Sequence, residues 1–203
     1  MRRVGRLPWR WPARLSRLTG AVLAPGATAA LARLLERWFS PLRDEAVLDV
    51  GCGFAPRWPS RNLLGVDLDP QAARSVSRFA PAVAADSCQL PFNDGYFAAA
   101  LSVGLFHHLD AAAALRTLTE MQRVVHGDGL IVVLDAVLPA SPWRRPAAAA
   151  IRTLDRGRRV RPLGGLQRLL DLTGAWTVER MVYSATGLEA AVAVHRTAAV
   201  KGA

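Results

Sequence analysis

The sequence predicts an α/β fold: a mainly parallel sheet with helices on both faces, finished by an antiparallel strand pair at the C-terminal end. Three observations predict it. From Ala46 onward, apolar runs of strand length alternate with helical stretches, which is the pattern of parallel strands joined by crossover helices. Several of those runs end in a carboxylate or a small polar residue. The last two runs flank a short glycine-containing turn. With 203 residues, 51% of them hydrophobic and 21% charged, the chain can bury one core with appendages and is too short for two full domains.

The elements follow in order. Residues 1–43 form a basic segment ahead of the main domain, 44–203. It carries Arg2, Arg3, Arg6, Arg10, Arg14, Arg17, Arg33, Arg37 and Arg43 against the single acid Glu36, with Trp9, Trp11 and Trp38 interleaved. Pro8, Pro12 and Pro25 divide it, and Thr28 to Phe39 has the apolar spacing of one amphipathic helix. Such a segment serves as a lid or docking helix, or its Trp and Leu side chains simply pack on the core while arginine stays wet; a membrane-surface role competes with both. The apolar stretch Leu18 to Leu35 is interrupted by Gly20, Pro25, Gly26 and Arg33, so neither a membrane span nor a cleaved signal is expected.

Strands are expected at Val47–Val50, Leu63–Asp67, Ala82–Ala85, Phe97–Val103 and Gly129–Asp135. Asp69 followed by Pro70 is an N-cap with proline at the first helical position, opening a helix through about Phe79. Asp110 caps a second helix carrying Leu115, Leu118 and Val125 on one face, with Gly127 as its expected stop. A Pro/Arg-rich connection, an Ala-rich helix, a short helix near Leu166–Leu172 and strands at about Trp176–Tyr183 and Leu188–His195 complete the chain.

Charge and cysteine content bound the partners. The 26 basic residues against 16 acidic ones give a net charge of +10, which favours anionic partners without choosing among nucleic acid, membrane and phosphorylated substrate. Cys52 and Cys88 stand in no CxxC or Cys/His cluster, so no metal site or disulfide framework is expected, and a cytoplasmic setting fits, with membrane association through residues 1–43 as the competing location.

Chemistry is expected at the carboxyl ends of the strands. The first strand runs into Gly51-Cys52-Gly53, a turn that lets backbone approach a ligand. Asp67 ends the next strand, where a carboxylate can accept both hydroxyls of a ribose. Asp49, Asp67 and Asp86 lie at or near the ends of three successive strands. His107 and His108, just after the fourth, are candidates for a general base or for a structural pair.

Taken in succession, VLDVGCG, GVDLDP, Asp86-Ser87 with Leu90-Pro91-Phe92, LSVGLFHHL, Glu120 with Arg123, and Gly127-Asp128-Gly129 resemble the class I S-adenosylmethionine-dependent methyltransferases, in particular the methyltransferase type 11 group. The resemblance covers Ala46 to Asp135 and implies a Rossmann-like fold with S-adenosyl-L-methionine as cofactor. It implies that Asp49, Gly51, Cys52 and Gly53 serve the amino-acid portion of the cofactor, Asp67 and Leu68 the ribose side, and Asp86 with Ser87 the adenine edge. The implied function is methyl transfer to a small-molecule or lipid-like acceptor, with His107 or His108 as catalytic base.

The chain departs from the family pattern in three places. Ala55 stands where a third glycine is usual, Ala98 replaces an acid after Phe97, and the stretch 54–64 holds Pro56 and Pro59, leaving little room for the usual helix. Arg57 or Arg61 is the expected substitute for that helix's positive end. A non-catalytic cofactor- or partner-binding protein on a degenerate fold is the main rival reading. An NAD-dependent oxidoreductase is a weaker one, because GxGxxG before a helix is missing. Nucleic-acid substrates lack their own signatures: Ser102-Val103-Gly104-Leu105 is not an Asn/Asp-Pro-Pro-aromatic motif.

Overall fold

The computed structural model describes residues 24–58, 61–154 and 159–197. Seven strands form one sheet: β1 (Val47–Val50), β2 (Leu63–Asp67), β3 (Ala82–Ala84), β4 (Phe97–Val103), β5 (Val125–Ala136), β6 (Thr177–Val182) and β7 (Glu189–Arg196). Their spatial order is β3-β2-β1-β4-β5-β7-β6. The first five strands run parallel, and β7 is antiparallel to both β5 and β6. The order reverses beside β1, so β1 and β4 diverge into crossovers on opposite sides and leave a crevice at their carboxyl ends.

Five α-helices complete the described residues: α1 (Ala27–Phe39), α2 (Pro70–Val76), α3 (Ala111–Val124), α4 (Pro146–Leu154) and α5 (Leu163–Asp171), with 3-10 turns at Ser40–Leu42 and Phe106–His108. Both expected caps form. Asp69 accepts from the N–H of Gln71, and Asp110 accepts from that of Ala113 at 2.8 Å. Each face of the sheet carries its own apolar layer. On one, α3 and α5 press Leu118, Met121, Leu166 and Leu170 against Leu48, Ala100 and Ile131. On the other, Leu35 and Phe39 of α1 join Trp58, Val76, Leu101 and Val132.

Gly127 does not stop α3. The helix ends at Val124 and β5 begins at once, because Asp128 adopts a left-handed conformation and the ladder with β4 skips from Phe97↔Val125 to Ala99↔Leu130. The extra residues form a bulge, which absorbs the reversal a loop would otherwise make. A Cβ at Gly129 would stand 2.3 Å from Val125 Cγ1, so this glycine is demanded by close approach.

The helix usual after the first strand is absent over residues 51–58, as the two prolines foretold. Trp58 fills the space instead. Its ring is 2% exposed and lies 6.0 Å from that of Phe39, so α1 and this one side chain cover the sheet where a crossover helix would lie. Leu35 and Phe39 are fully buried there, while residues 1–23, on which the lid and membrane expectations chiefly rest, lie outside the described residues. No helix among the described residues is long and apolar enough to cross a membrane.

Candidate active site

Strand β1 delivers Asp49 and the glycine turn to the crevice. Gly51 and Gly53 both have left-handed backbones, at φ 75° and 62°, which other residues rarely adopt. A Cβ on Gly51 would also meet the Leu105 side chain at 3.1 Å. The turn spends its own amides. Gly51 and Cys52 donate to the carbonyl of Val66, and Gly53 donates to Asp67 Oδ2 at 2.9 Å. These three N–H groups therefore tie β1 to β2. Arg57 is the nearer candidate: its Nη2 stands 3.7 Å from where a Cβ on Gly53 would be, whereas Arg61 is exposed in the turn before β2.

Asp49 is wholly buried. Its Oδ2 accepts from the N–H of Arg57 at 3.2 Å, and its Oδ1 has no partner. Burial lifts the carboxyl from its ordinary 3.8 to about 7, opposed by the Arg57 N–H and guanidinium and reinforced by the nearby Asp67 charge. An unpaired acceptor in such a place is costly unless a donor meets it.

Asp67 uses one lone pair of each oxygen, on Gly53 and on the N–H of Asp69 at 2.8 Å, and a carboxylate has about four acceptor positions. Leu68, next along, is 69% exposed, an apolar side chain left bare at the strand end. Cys52 is placed differently. Its side chain turns under the turn into the core, against Gly65, where a Cβ would stand 2.9 Å from the sulfur. Burial, then the Asp49 and Asp67 charges, push its thiol up to about 12, so it stays neutral.

After β3, Asp86 is exposed and accepts from the N–H of Cys88 at 2.8 Å, while the Ser87 hydroxyl pairs with that of buried Thr117 at 3.0 Å. Glu120 and Arg123 clamp the following loop to α3. Arg123 donates to the carbonyls of Leu90 and Phe92, Glu120 accepts from the Leu90 N–H, and the Arg123 guanidinium holds the Glu120 carboxyl below the usual range.

Beyond β4 the 3-10 turn presents two histidines of unlike surroundings. His107 Nδ1 lies 2.5 Å from Oδ1 of Asp135, which is 3% exposed at the end of β5. His108 points outward, its ring 4.1 Å from that of His107. Arg161 straps the turn by donating to the carbonyls of Phe106 and Leu109, both at 2.7 Å. His107, Asp135 and Arg57 share the wall of a cavity of about 350 Å³ with Leu31, Val103 and Met181. Ala27 and Thr28 of α1, with Arg152 and Tyr183, also line it. The partner of His107 and the Arg152–Tyr183 pair are the site residues the sequence left unmarked; the carboxylate ending β5 was the one available signal.

The sheet order with its reversed seventh strand, and the glycine turn facing carboxylates across the crevice, define the class I methyltransferase fold. Residues 48–133 are similar to the family model described as a methyltransferase domain. Among curated relatives, the demethylmenaquinone methyltransferase of Mycolicibacterium gilvum (strain PYR-GCK) is 41% identical over 70 residues, which is 34% of this chain and 29% of that relative. Among solved structures, a Thermotoga maritima SAM-dependent methyltransferase described as a possible histamine N-methyltransferase superposes with a TM-score of 0.68 at 15% identity, over 91% of this chain and 95% of that one. The Burkholderia thailandensis 1,6-didemethyltoxoflavin-N1-methyltransferase, solved with 1,6-didemethyltoxoflavin and S-adenosylhomocysteine, gives 0.63 at 18% identity, covering 96% and 93%. At those identities the likeness is one of fold.

Proposed function

We propose that the protein is an S-adenosylmethionine-dependent methyltransferase acting on a small, largely apolar acceptor held beside His107. The observation that carries this reading is the buried Asp49 carboxylate with its free Oδ1, whose donor residue Arg57 lines the same cavity as His107. The donor set suits the cofactor: Asp49 for its ammonium, Arg57 for its carboxylate, the spare lone pairs of Asp67 for the ribose diol, and Leu68 with the Asp86-Ser87 loop for the adenine. When bound, the cofactor supplies a methyl group already activated on a sulfonium.

The chain's own work is then alignment and proton removal. Asp135 accepts the Nδ1 proton of His107, which leaves the Nε2 lone pair available to take a proton from the acceptor. The near-buried carboxylate stabilises the imidazolium that results. The missing helix after β1 argues against a dinucleotide, whose pyrophosphate needs a helix N-terminus at that place.

Two results are expected from calorimetry with S-adenosylhomocysteine. Asp67→Ala lowers affinity about tenfold, since a charged acceptor contributes about 1.5–3 kcal/mol and its loss also frees Gly53. An unchanged affinity would remove Asp67 from the site. The second concerns pH. Asp49 titrates higher in the folded chain than in the unfolded one, so its contribution to stability is greatest below about 3.8 and declines as pH rises to about 7. A ligand ammonium favours the ionised form, so affinity rises from pH 5.5 to 7.5 with proton release, and Asp49→Asn abolishes that slope. A pH-independent wild type would contradict the pairing, and absence of any binding would favour the non-catalytic rival.

A further inference from the structure

The acceptor cavity holds a second polar device, and its chemistry narrows the class of acceptor. Tyr183 follows β6 and lines the cavity together with Arg152 of α4. Arg152 is 9% exposed; its Nη2 donates to the Tyr183 hydroxyl at 2.9 Å and to the carbonyl of Glu189 at 2.8 Å. The guanidinium carbon also stands 5.9 Å from the centre of the tyrosine ring. The phenol oxygen thus accepts from a cation, which polarises its O–H. Among the described residues that O–H donates to no group. Nε2 of His107 is likewise uncommitted there, its Nδ1 being taken by Asp135. The same cavity is lined by the apolar side chains of Leu31, Val103, Leu134 and Met181.

We propose that Tyr183, held by Arg152, donates a hydrogen bond to an oxygen of the acceptor, and that the acceptor is a small apolar molecule bearing two oxygens. One is a hydroxyl facing His107, and the other is a carbonyl or second hydroxyl oxygen facing Tyr183. This rests on the methyltransferase reading above. In the reaction it implies, the acceptor hydroxyl gives its proton to Nε2 of His107 and its oxygen bonds to the methyl carbon. The carbon–sulfur bond breaks with its electron pair staying on sulfur, and the proton then passes from His107 to water. Arg152 is a positioning residue in this scheme: without it, the phenol is free to rotate its proton away. A cavity whose donor is met only by a matching oxygen discriminates against molecules lacking that oxygen.

The test is calorimetric titration of the full chain, with and without S-adenosylhomocysteine, using 2-hydroxyacetophenone, acetophenone and ethylbenzene, which share one skeleton and differ in oxygens. The hydroxyketone is expected to bind best and ethylbenzene worst. Tyr183→Phe weakens the two ketones about fivefold to tenfold and leaves ethylbenzene within about twofold, the scale of one hydrogen bond. Arg152→Met, checked by its melting temperature because it also loses the Glu189 contact, reproduces the lost preference. Equal binding of the three compounds by the wild type, binding of none, or an unchanged preference in Tyr183→Phe overturns the proposal. Failure of the wild type to bind S-adenosylhomocysteine would instead sink the parent reading, and the order of the three compounds, measured without it, still decides this one.

Discussion

Replacing His107 by alanine is expected to lower kcat about 10²- to 10⁴-fold with an acceptor that must lose a proton, the range general-base catalysis contributes. The expectation comes from placement. His107 lines the cavity and is held on both sides, by Arg161 through the backbone of its turn and by Asp135 through Nδ1. Asp135→Asn is expected to reproduce most of the loss, because an amide no longer stabilises the imidazolium and leaves the imidazole tautomer unfixed. Affinity for S-adenosylhomocysteine stays nearly unchanged in both variants. His108→Ala, whose side chain points outward, is the comparison; if it costs as much as His107→Ala, or if neither alters turnover from pH 6 to 9, the base is elsewhere or alignment alone carries the reaction.

Trp58→Ala is expected to destabilise the fold by about 3–5 kcal/mol, the range for emptying a buried tryptophan site. In a chain of this length that lowers the melting midpoint by roughly 6–20 °C. The site cannot collapse easily, because Phe39 comes from a helix before β1, Arg43 lies over the ring at 5.5 Å, and the sheet floor is fixed. A functional consequence follows. Arg57 adjoins Trp58, and its N–H donates to Asp49, so loosening this stretch removes the cationic partner of the crevice as well. Trp58→Phe restores most of the stability. A loss under about 1 kcal/mol in Trp58→Ala would show that α1 and the 54–58 stretch are not bearing on one another.

The parallel strands, both helix caps and the closing hairpin were legible in the residues, since alternation, N-cap chemistry and the Ala185-Thr186-Gly187 turn are local properties. Leu63–Asp67 and Phe97–Val103 form as strands with those limits. The end of α3 was not legible. Gly127 has the residue type of a stop, but pairing with β4 competes for the same backbone, and a bulge at Asp128 satisfies both. The direction of the Cys52 side chain, into the core against Gly65, was likewise set by the turn geometry and not by residue type.

The arrangement of carboxylates at the strand ends and the glycine turn were determined by the chain's local chemistry, because strand termini and positive φ values depend on residues adjacent in sequence. What only the packed structure decided is which groups remain free. The turn amides are spent on Val66 and Asp67, and Oδ1 of Asp49 is left over. His107 and Asp135 stand 28 residues apart, and Arg152 and Tyr183 stand 31 apart, brought together by parallel pairing of β4 with β5 and by the bonds of Arg152 to Tyr183 and Glu189. Hydrogen-bond capacity is allotted among neighbours in space, so no pattern along the chain could say which of these side chains would have a partner and which would be left to meet a ligand.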